Sequence, residues 1–200
     1  MYMDKRILLT GANSFIGSNI VAELMASDTP VTALVRPRSN TEFLKKLKCY
    51  NILPVDNYLD PTLIRKLSMS KPEYVIHCAW GNNELADTKN LIKIIEMSKS
   101  VNCKGFISIG TYEEYGKLMP NLDEDLICNP NSKLGKIKYS LYLLTKEICK
   151  SLNIKHIHIR LGIPYSNKKN QIFYFNDIIN NLSRGDKVIL DNIFNNSSLQ

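Results

Sequence analysis

Two glycines, Gly11 and Gly17, restrict this chain more than any other feature, because of what lies on either side of them. The stretch Thr10-Gly11-Ala12-Asn13-Ser14-Phe15-Ile16-Gly17 follows the apolar run Ile7-Leu8-Leu9 and opens onto Ile20, Val21, Leu24 and Met25. A buried strand, a tight turn and a helix in that order present free backbone N–H groups to a pyrophosphate. Gly11 permits the sharp turn, and Gly17 lets the helix pack closely on the strand. The middle position, where a glycine lets the backbone approach the phosphate, is Ser14; its Cβ crowds the site, while its hydroxyl can itself donate to a phosphate oxygen. Two glycines at this spacing also fit an ordinary strand-to-helix connection, so the rest of the chain has to decide.

Further apolar, β-branched runs follow at regular intervals: Val31 to Val35, Ile52 to Val55, Tyr74 to Trp80, Gly105 to Ile109 and His156 to Leu161. The run from Tyr74 is apolar almost throughout, as strands buried on both faces of a parallel sheet are, whereas His156 and His158 read as half-buried strand residues. Helical segments are expected between them. Asn40 is read as the cap of one through Leu44 and Leu47, Asp60-Pro61 starts another, and Leu91, Ile94, Ile95 and Met97 mark a third. Strand and helix alternating in this way predict an α/β fold, a doubly wound parallel sheet of the Rossmann type. The polar segment Lys117 to Lys138, with Pro120, Asn129, Pro130, Asn131 and Gly135, reads as a long loop of the kind that forms lids. A helix is expected from Lys138 to about Leu152. Beyond the sixth strand a helix from Ile172 to Leu182 and a strand from Val188 to Leu190 precede the polar Asn195-Asn196-Ser197-Ser198.

The second strand runs into Arg36-Pro37-Arg38-Ser39, with two guanidinium groups and no carboxylate. In dinucleotide folds an acidic residue here binds the adenosine ribose hydroxyls, whereas a basic one accommodates a 2′-phosphate, so Arg36 and Arg38 favour NADP over NAD. Asp56, after the third strand, is placed at the adenine edge. Cys78-Ala79-Trp80 falls at the C-terminal end of the fourth strand, where such sheets bind ligands. His77, inside that strand, is read as a satisfied core histidine. His156 and His158 alternate along the sixth strand without a nearby carboxylate or cysteine to complete a ligand set, so no metal is expected.

Composition sets the outer limits. At 44% hydrophobic and 22% charged residues the chain is an ordinary globular one, and no apolar run approaches the ~20 residues of a membrane span. The formal charge of +7 comes from scattered lysines with no basic run interleaved with aromatics, which suits anionic nucleotides better than nucleic acid. Five dispersed cysteines and a first strand that begins almost at Met1 predict a reducing, cytoplasmic setting.

The chemistry is expected on the fifth helix. Tyr142 and Lys146 lie four residues apart on one helical face, where a lysine ammonium favours the phenolate and tunes the tyrosine for proton transfer near neutral pH. Tyr139 has Leu143 at the equivalent spacing and forms no such pair. Thr111, in Gly110-Thr111-Tyr112-Glu113-Glu114-Tyr115-Gly116, offers a fixed hydroxyl just after the fifth strand.

On Thr10 to Gly17, Cys78 to Trp80, Gly110 to Gly116, Tyr142 with Lys146, and Arg160 to Tyr165, the chain resembles the extended short-chain dehydrogenase/reductases. Within them it resembles the NAD(P)-dependent epimerase/dehydratase group that acts on nucleotide sugars. The resemblance implies a Thr111–Tyr142–Lys146 triad beside a nicotinamide ring. Tyr142 would be acid or base, Thr111 would position the sugar oxygen, and Lys146 would bind the ribose. Gly11 to Gly17, Arg36, Arg38, Asp56 and Cys78 to Trp80 would hold the cofactor. It implies residues 1–165 as the dinucleotide-binding domain, 166–200 as the beginning of a substrate-binding part that is otherwise absent, and a homodimer. Dehydratases carry an acid and a base directly after the threonine; here Tyr112 and Glu113 match only the base. The expected activity is therefore an NADP-dependent 4-keto-sugar reductase of surface-polysaccharide biosynthesis. A 4-epimerase, a 4,6-dehydratase and a non-catalytic dinucleotide-binding protein are the alternatives.

Overall fold

The computed structural model describes residues 6–49, 51–81, 83–116, 122–164, 181–185 and 187. Six parallel strands lie in the order β3-β2-β1-β4-β5-β6, in which each crossover places a helix on one face of the sheet. They are β1 (Ile7–Thr10), β2 (Val31–Val35), β3 (Asn51–Pro54), β4 (Tyr74–His77), β5 (Gly105–Thr111) and β6 (Lys155–Leu161). The helices are α1 (Phe15–Ala26), α2 (Glu42–Lys46), α3 (Pro61–Ser70), α4 (Glu84–Ser100) and α5 (Lys133–Ser151), with a 3-10 turn at Tyr112–Tyr115. This is the doubly wound sheet that the alternation of strand and helix predicts.

Alternate side chains of each central strand feed opposite cores. Leu8 enters a cluster with Leu67, Val75, Ile94, Ile95, Met97 and Phe106 under α3, α4 and α5. Its neighbours Ile7 and Leu9 join Val21, Val31, Ala33, Val35 and Leu44 under α1 and α2. Burying side chains of this size stabilises by about 1.5–3 kcal/mol each, so these two clusters hold the layers together. The edge strand β6 alternates instead, with Ile157 and Ile159 exposed and His156 and His158 turned inward.

Element ends differ from expectation for local reasons. The fourth strand stops at His77 because Cys78 and Ala79 leave the ladder to bend over the glycine turn, with their N–H groups donating to the Thr10 carbonyl (3.2 Å) and the Thr10 hydroxyl (3.4 Å). Asn40 is not the cap residue of α2, although its side chain still takes the Glu42 N–H (3.0 Å). The expected loop up to Lys138 is shorter: α5 already begins at Lys133, capped by Ser132 accepting from Gly135 N–H. Gly135 lies within α5, and a Cβ there would sit 2.4 Å from the Glu113 carbonyl oxygen, so it marks a close approach rather than a turn. Positions 181–183 are helical. The remainder of the helix expected from Ile172, the strand Val188 to Leu190, the polar stretch from Asn195 and Tyr165 lie outside the described residues. No described helix is long and apolar enough to cross a membrane.

Candidate active site

The glycine turn is built by backbone proximity. Gly11 has φ +65°, and a Cβ on it would sit 2.7 Å from Ala79 N and 2.8 Å from Ala79 Cα. A Cβ on Gly17 would meet the Gly11 carbonyl oxygen at 2.2 Å. Ser14 is the N-cap of α1, its Oγ accepting from Gly17 N–H at 3.1 Å. That bond engages an oxygen lone pair and leaves the hydroxyl hydrogen to offer an anion. The turn opens on a cleft of about 290 Å³ whose walls include Gly11, Asn13, Ser14, Arg36, Tyr58 and Asp87. Burial raises the Tyr58 phenol against the opposing pull of the Arg36 guanidinium, so Arg36 faces the same wall. A cradle that a Cβ would fill, at a helix N-terminus, fits the pyrophosphate of a dinucleotide. Arg38 is exposed in a left-handed turn (φ +64°), and Asp56 is exposed too; these two and Phe15 lie outside the cleft wall.

His77, Cys78, Ala79 and Trp80 also line a second cavity of about 350 Å³, so the cleft and the cavity adjoin along the end of β4. His77 is satisfied by the Thr10 hydroxyl at 2.8 Å, and burial, followed by the charge of Lys138, pushes it down to about 3. It is therefore a neutral core histidine. The cavity brings Thr111 and Tyr142 together with Ile16, Leu134 and Lys138. Thr111 ends β5 and caps the 3-10 turn, its hydroxyl accepting from Glu113 N–H at 3.4 Å. Tyr142 packs its ring on His158, with centroids 4.6 Å apart.

Lys146 is exposed and lines neither space; its Nζ lies 5.9 Å from the Tyr142 ring centroid. The lysine inside the cavity is Lys138. Its ammonium sits 3.8 Å over the Trp80 ring and donates to the Ile109 carbonyl at 3.4 Å. Burial pushes it down to about 8, opposed by the charges of Glu114 and Asp87. Lys138 precedes Tyr142 by four residues just as Lys146 follows it, so helical spacing alone admits either lysine.

Sequence reasoning also missed a buried polar network that includes Ser108, Thr111 and His158 of the cavity lining. Glu114 is fully buried; its carboxylate accepts from Thr111 N–H (2.8 Å), His158 Nε2 (2.9 Å) and Arg160 Nε (3.3 Å). Burial pushes its carboxyl up, but the bonds from His158, the Thr111 N–H and Arg160 outweigh that and hold it below the ordinary range. An ionised carboxylate only accepts, so His158 Nε2 carries the hydrogen. Ser108 Oγ joins His158 Nδ1 (2.7 Å) to His156 Nε2 (2.8 Å). Its single hydrogen serves one ring, so the other ring must donate to it. The signal in the sequence was Gly110: a Cβ there would meet Glu114 Oε1 at 2.0 Å and His158 Nε2 at 2.3 Å.

The model of the NAD dependent epimerase/dehydratase family matches residues 7–192. No curated protein matches the chain. Solved structures share its fold. The Thermus thermophilus UDP-glucose 4-epimerase, in complex with NAD, superposes with a TM-score of 0.70 at 18% identity over 92% of this chain and 64% of its own. The Bacillus cereus UDP-glucuronic acid 4-epimerase, in complex with UDP-glucuronic acid and NAD, gives 0.69 at 21% identity over 90% and 64%. The Methanobrevibacter ruminantium UDP-N-acetylglucosamine 4-epimerase gives 0.68 at 23% identity over 92% and 64%. The chain thus spans 64% of the length of each of these proteins, less than two thirds.

Proposed function

Since the chain belongs to the NAD dependent epimerase/dehydratase family, we propose that it binds a nicotinamide dinucleotide along the cleft and acts on a nucleotide sugar in the adjoining cavity, as a 4-keto-sugar reductase. The observation that carries this reading is the continuity of the two spaces. A glycine cradle at the N-terminus of α1 leads along Cys78, Ala79 and Trp80 to a cavity holding a hydroxyl, a phenol and an ammonium. The pyrophosphate would lie on the first turn of α1, against Gly11, Asn13 and Ser14. Arg36 would face the adenosine ribose, which supports NADP over NAD.

The bound nicotinamide supplies the hydride. This chain's own residues handle the oxygen at the reacting carbon. Thr111 holds it from the end of β5. Tyr142 passes the proton, and Lys138 supplies the positive charge that Lys146, outside the cavity, does not bring there. With its ammonium near 8, Lys138 is largely charged at neutral pH and suited to stabilising oxygen that gains negative charge. Trp80 and Leu134 wall the cavity against water.

A 4-epimerase is the second reading, supported by the 4-epimerases among proteins of the same fold. Stoichiometry separates the two. A reductase oxidises one NADPH for each nucleotide-linked 4-keto sugar it consumes, whereas an epimerase returns its hydride and leaves the cofactor unchanged. Following absorbance at the reduced nicotinamide band with a UDP- or dTDP-linked 4-keto sugar should show net NADPH loss. With the corresponding 4-hydroxy UDP- or dTDP-sugar and oxidised cofactor instead, C4 inversion without net change in the cofactor would select the epimerase, and no change in either assay would refute both.

A further inference from the structure

The Ser108 hydroxyl stands between two imidazoles, 2.7 Å from His158 Nδ1 and 2.8 Å from His156 Nε2. Ser108 is 7% exposed, and among the described residues its hydroxyl has no third partner. A hydroxyl carries one hydrogen, so the two bonds run in the same direction along the chain. The far end fixes that direction. Glu114 is fully buried, and its carboxylate accepts from His158 Nε2 at 2.9 Å, from the Thr111 N–H and from Arg160 Nε. In neutral His158 the hydrogen therefore lies on Nε2, and Nδ1 is left to accept from Ser108. Ser108 in turn accepts from His156, which must carry its own hydrogen on Nε2. One carboxylate thus sets the hydrogens of three side chains on two strands.

A second proton on His158 reverses the chain. Nδ1 becomes a donor, the Ser108 hydrogen turns to His156 Nε2, and the His156 hydrogen must then sit on Nδ1. We infer that Ser108 is a proton-relaying residue: a proton taken up at His156 Nδ1 is delivered through the Ser108 hydroxyl to His158, in the wall of the cavity. The step balances. His156 gains an Nδ1–H bond and gives its Nε2 hydrogen to the Ser108 oxygen, while the original Ser108 hydrogen passes to His158 Nδ1. One proton has been added, and the positive charge lies on His158 against the Glu114 carboxylate. Ser108 and His158 line the cavity with Thr111 and Tyr142, whereas His156 does not. The relay therefore joins the reacting space to a group outside its lining.

The groups around β6 favour that destination. The turn at Tyr112–Tyr115 brings Glu114 to His158 and Tyr115 to Arg160. Helix α5 brings the Tyr142 ring to both imidazoles (4.6 and 6.0 Å), Lys138 to the same cavity as His158, and the charge of Lys146 to His156. Strand β5 adds only Ser108 and the Phe106 ring. Burial, followed by the charges of His158 and Lys146, pushes His156 down to about 4, so the proton does not rest there. His158 has a carboxylate in direct contact, and His156 has none among the described residues.

The relay can be read without cofactor or sugar, so its failure and that of the proposed function are separate results. The sequence has three histidines, and nitrogen-15 imidazole spectra of the labelled chain can follow each ring from about pH 8 to about pH 5. At the upper end His156 and His158 should both carry their hydrogen on Nε2. As His158 takes its second proton, His156 should stay neutral and exchange the shifts of its two ring nitrogens at the same pH. His77, bonded to Thr10 through Nδ1, should keep its own. In Ser108→Ala, His158 should still gain its proton while His156 holds one tautomer throughout, a result that a packing role for Ser108 would not give. Should Ser108→Ala fail to fold, the exchange in the unaltered chain decides alone. A His156 tautomer that stays fixed while His158 titrates in the unaltered chain would overturn the relay. So would an exchange that persists in Ser108→Ala, or a His158 that takes no second proton before the chain unfolds.

Discussion

The two ends of this binding surface are made from different materials. Around β1 and α1 the shape comes from backbone meeting backbone: Gly11 against Ala79, and Gly17 against the Gly11 carbonyl. Around β5, β6 and α5 it comes from polar side chains meeting across strands, with Ser108, Glu114, His156, His158 and Arg160 in one bonded chain. The first kind of site tolerates no added atom but is indifferent to pH. The second can reorganise its side chains, and its cohesion depends on which groups carry protons.

Substitution at a glycine of each end tests that contrast most severely. Gly17→Val drives a side chain into backbone that cannot yield, and should destabilise the chain by more than about 3 kcal/mol in denaturant titration or prevent folding. Gly110→Ala meets the ends of two side chains instead. It should cost less stability while displacing Glu114 from Thr111. Equal losses at both positions would erase the distinction.

A smaller effect is expected in the cavity. In a sample competent for turnover, Tyr142→Phe should lower kcat about 100-fold and leave dinucleotide binding nearly intact. Lys138→Met should be the more damaging lysine change, and Lys146→Met nearly silent; the reverse order would return the role to Lys146.

Acid should find the second region first. Burial is the main cause that pushes His156 to about 4, so the unfolded chain binds a proton that the folded chain refuses. Stability is then complete above the ordinary histidine value and falls as the pH drops below it. Because His156 is only partly buried, the loss should be no more than about 1 kcal/mol by pH 5. Replacing His156 with glutamine should remove part of this slope in urea titrations run at pH 7 and pH 5. An unchanged slope would mean that His156 is not buried neutral.

The contrast also explains what could be read from the sequence. A glycine demanded by backbone proximity leaves a local mark, and the turn at Gly11 to Gly17, the alternation of strands and the position of Thr111 were all legible from spacing. The network at Glu114 joins residues more than forty positions apart, and only Gly110 hinted at it. Lys138 was hidden differently. It stands at the first position of the expected helix, four residues before Tyr142 as Lys146 stands four after, and that spacing does not say which of the two the fold turns into the cavity.

The least drastic prediction concerns the cofactor's far end. NADPH should bind more tightly than NADH by about 1–3 kcal/mol, the size of a charge-assisted phosphate contact, and Arg36→Glu should abolish that preference without harming NADH. Equal affinities in the unaltered chain would leave Arg36 without this role.

The central claim is that one continuous surface, from the glycine turn to the Thr111 cavity, holds a nicotinamide dinucleotide. Trp80 is the only tryptophan in the sequence, and it lines both the cleft and the cavity. Its emission is therefore a direct reporter, because reduced nicotinamide absorbs where tryptophan emits. Titration with NADPH should quench Trp80 saturably, and Gly11→Val, which closes the cradle against Ala79, should abolish the response while Trp80 stays in place. Emission that does not change on adding NADPH, or that is quenched equally in folded Gly11→Val, would contradict the account.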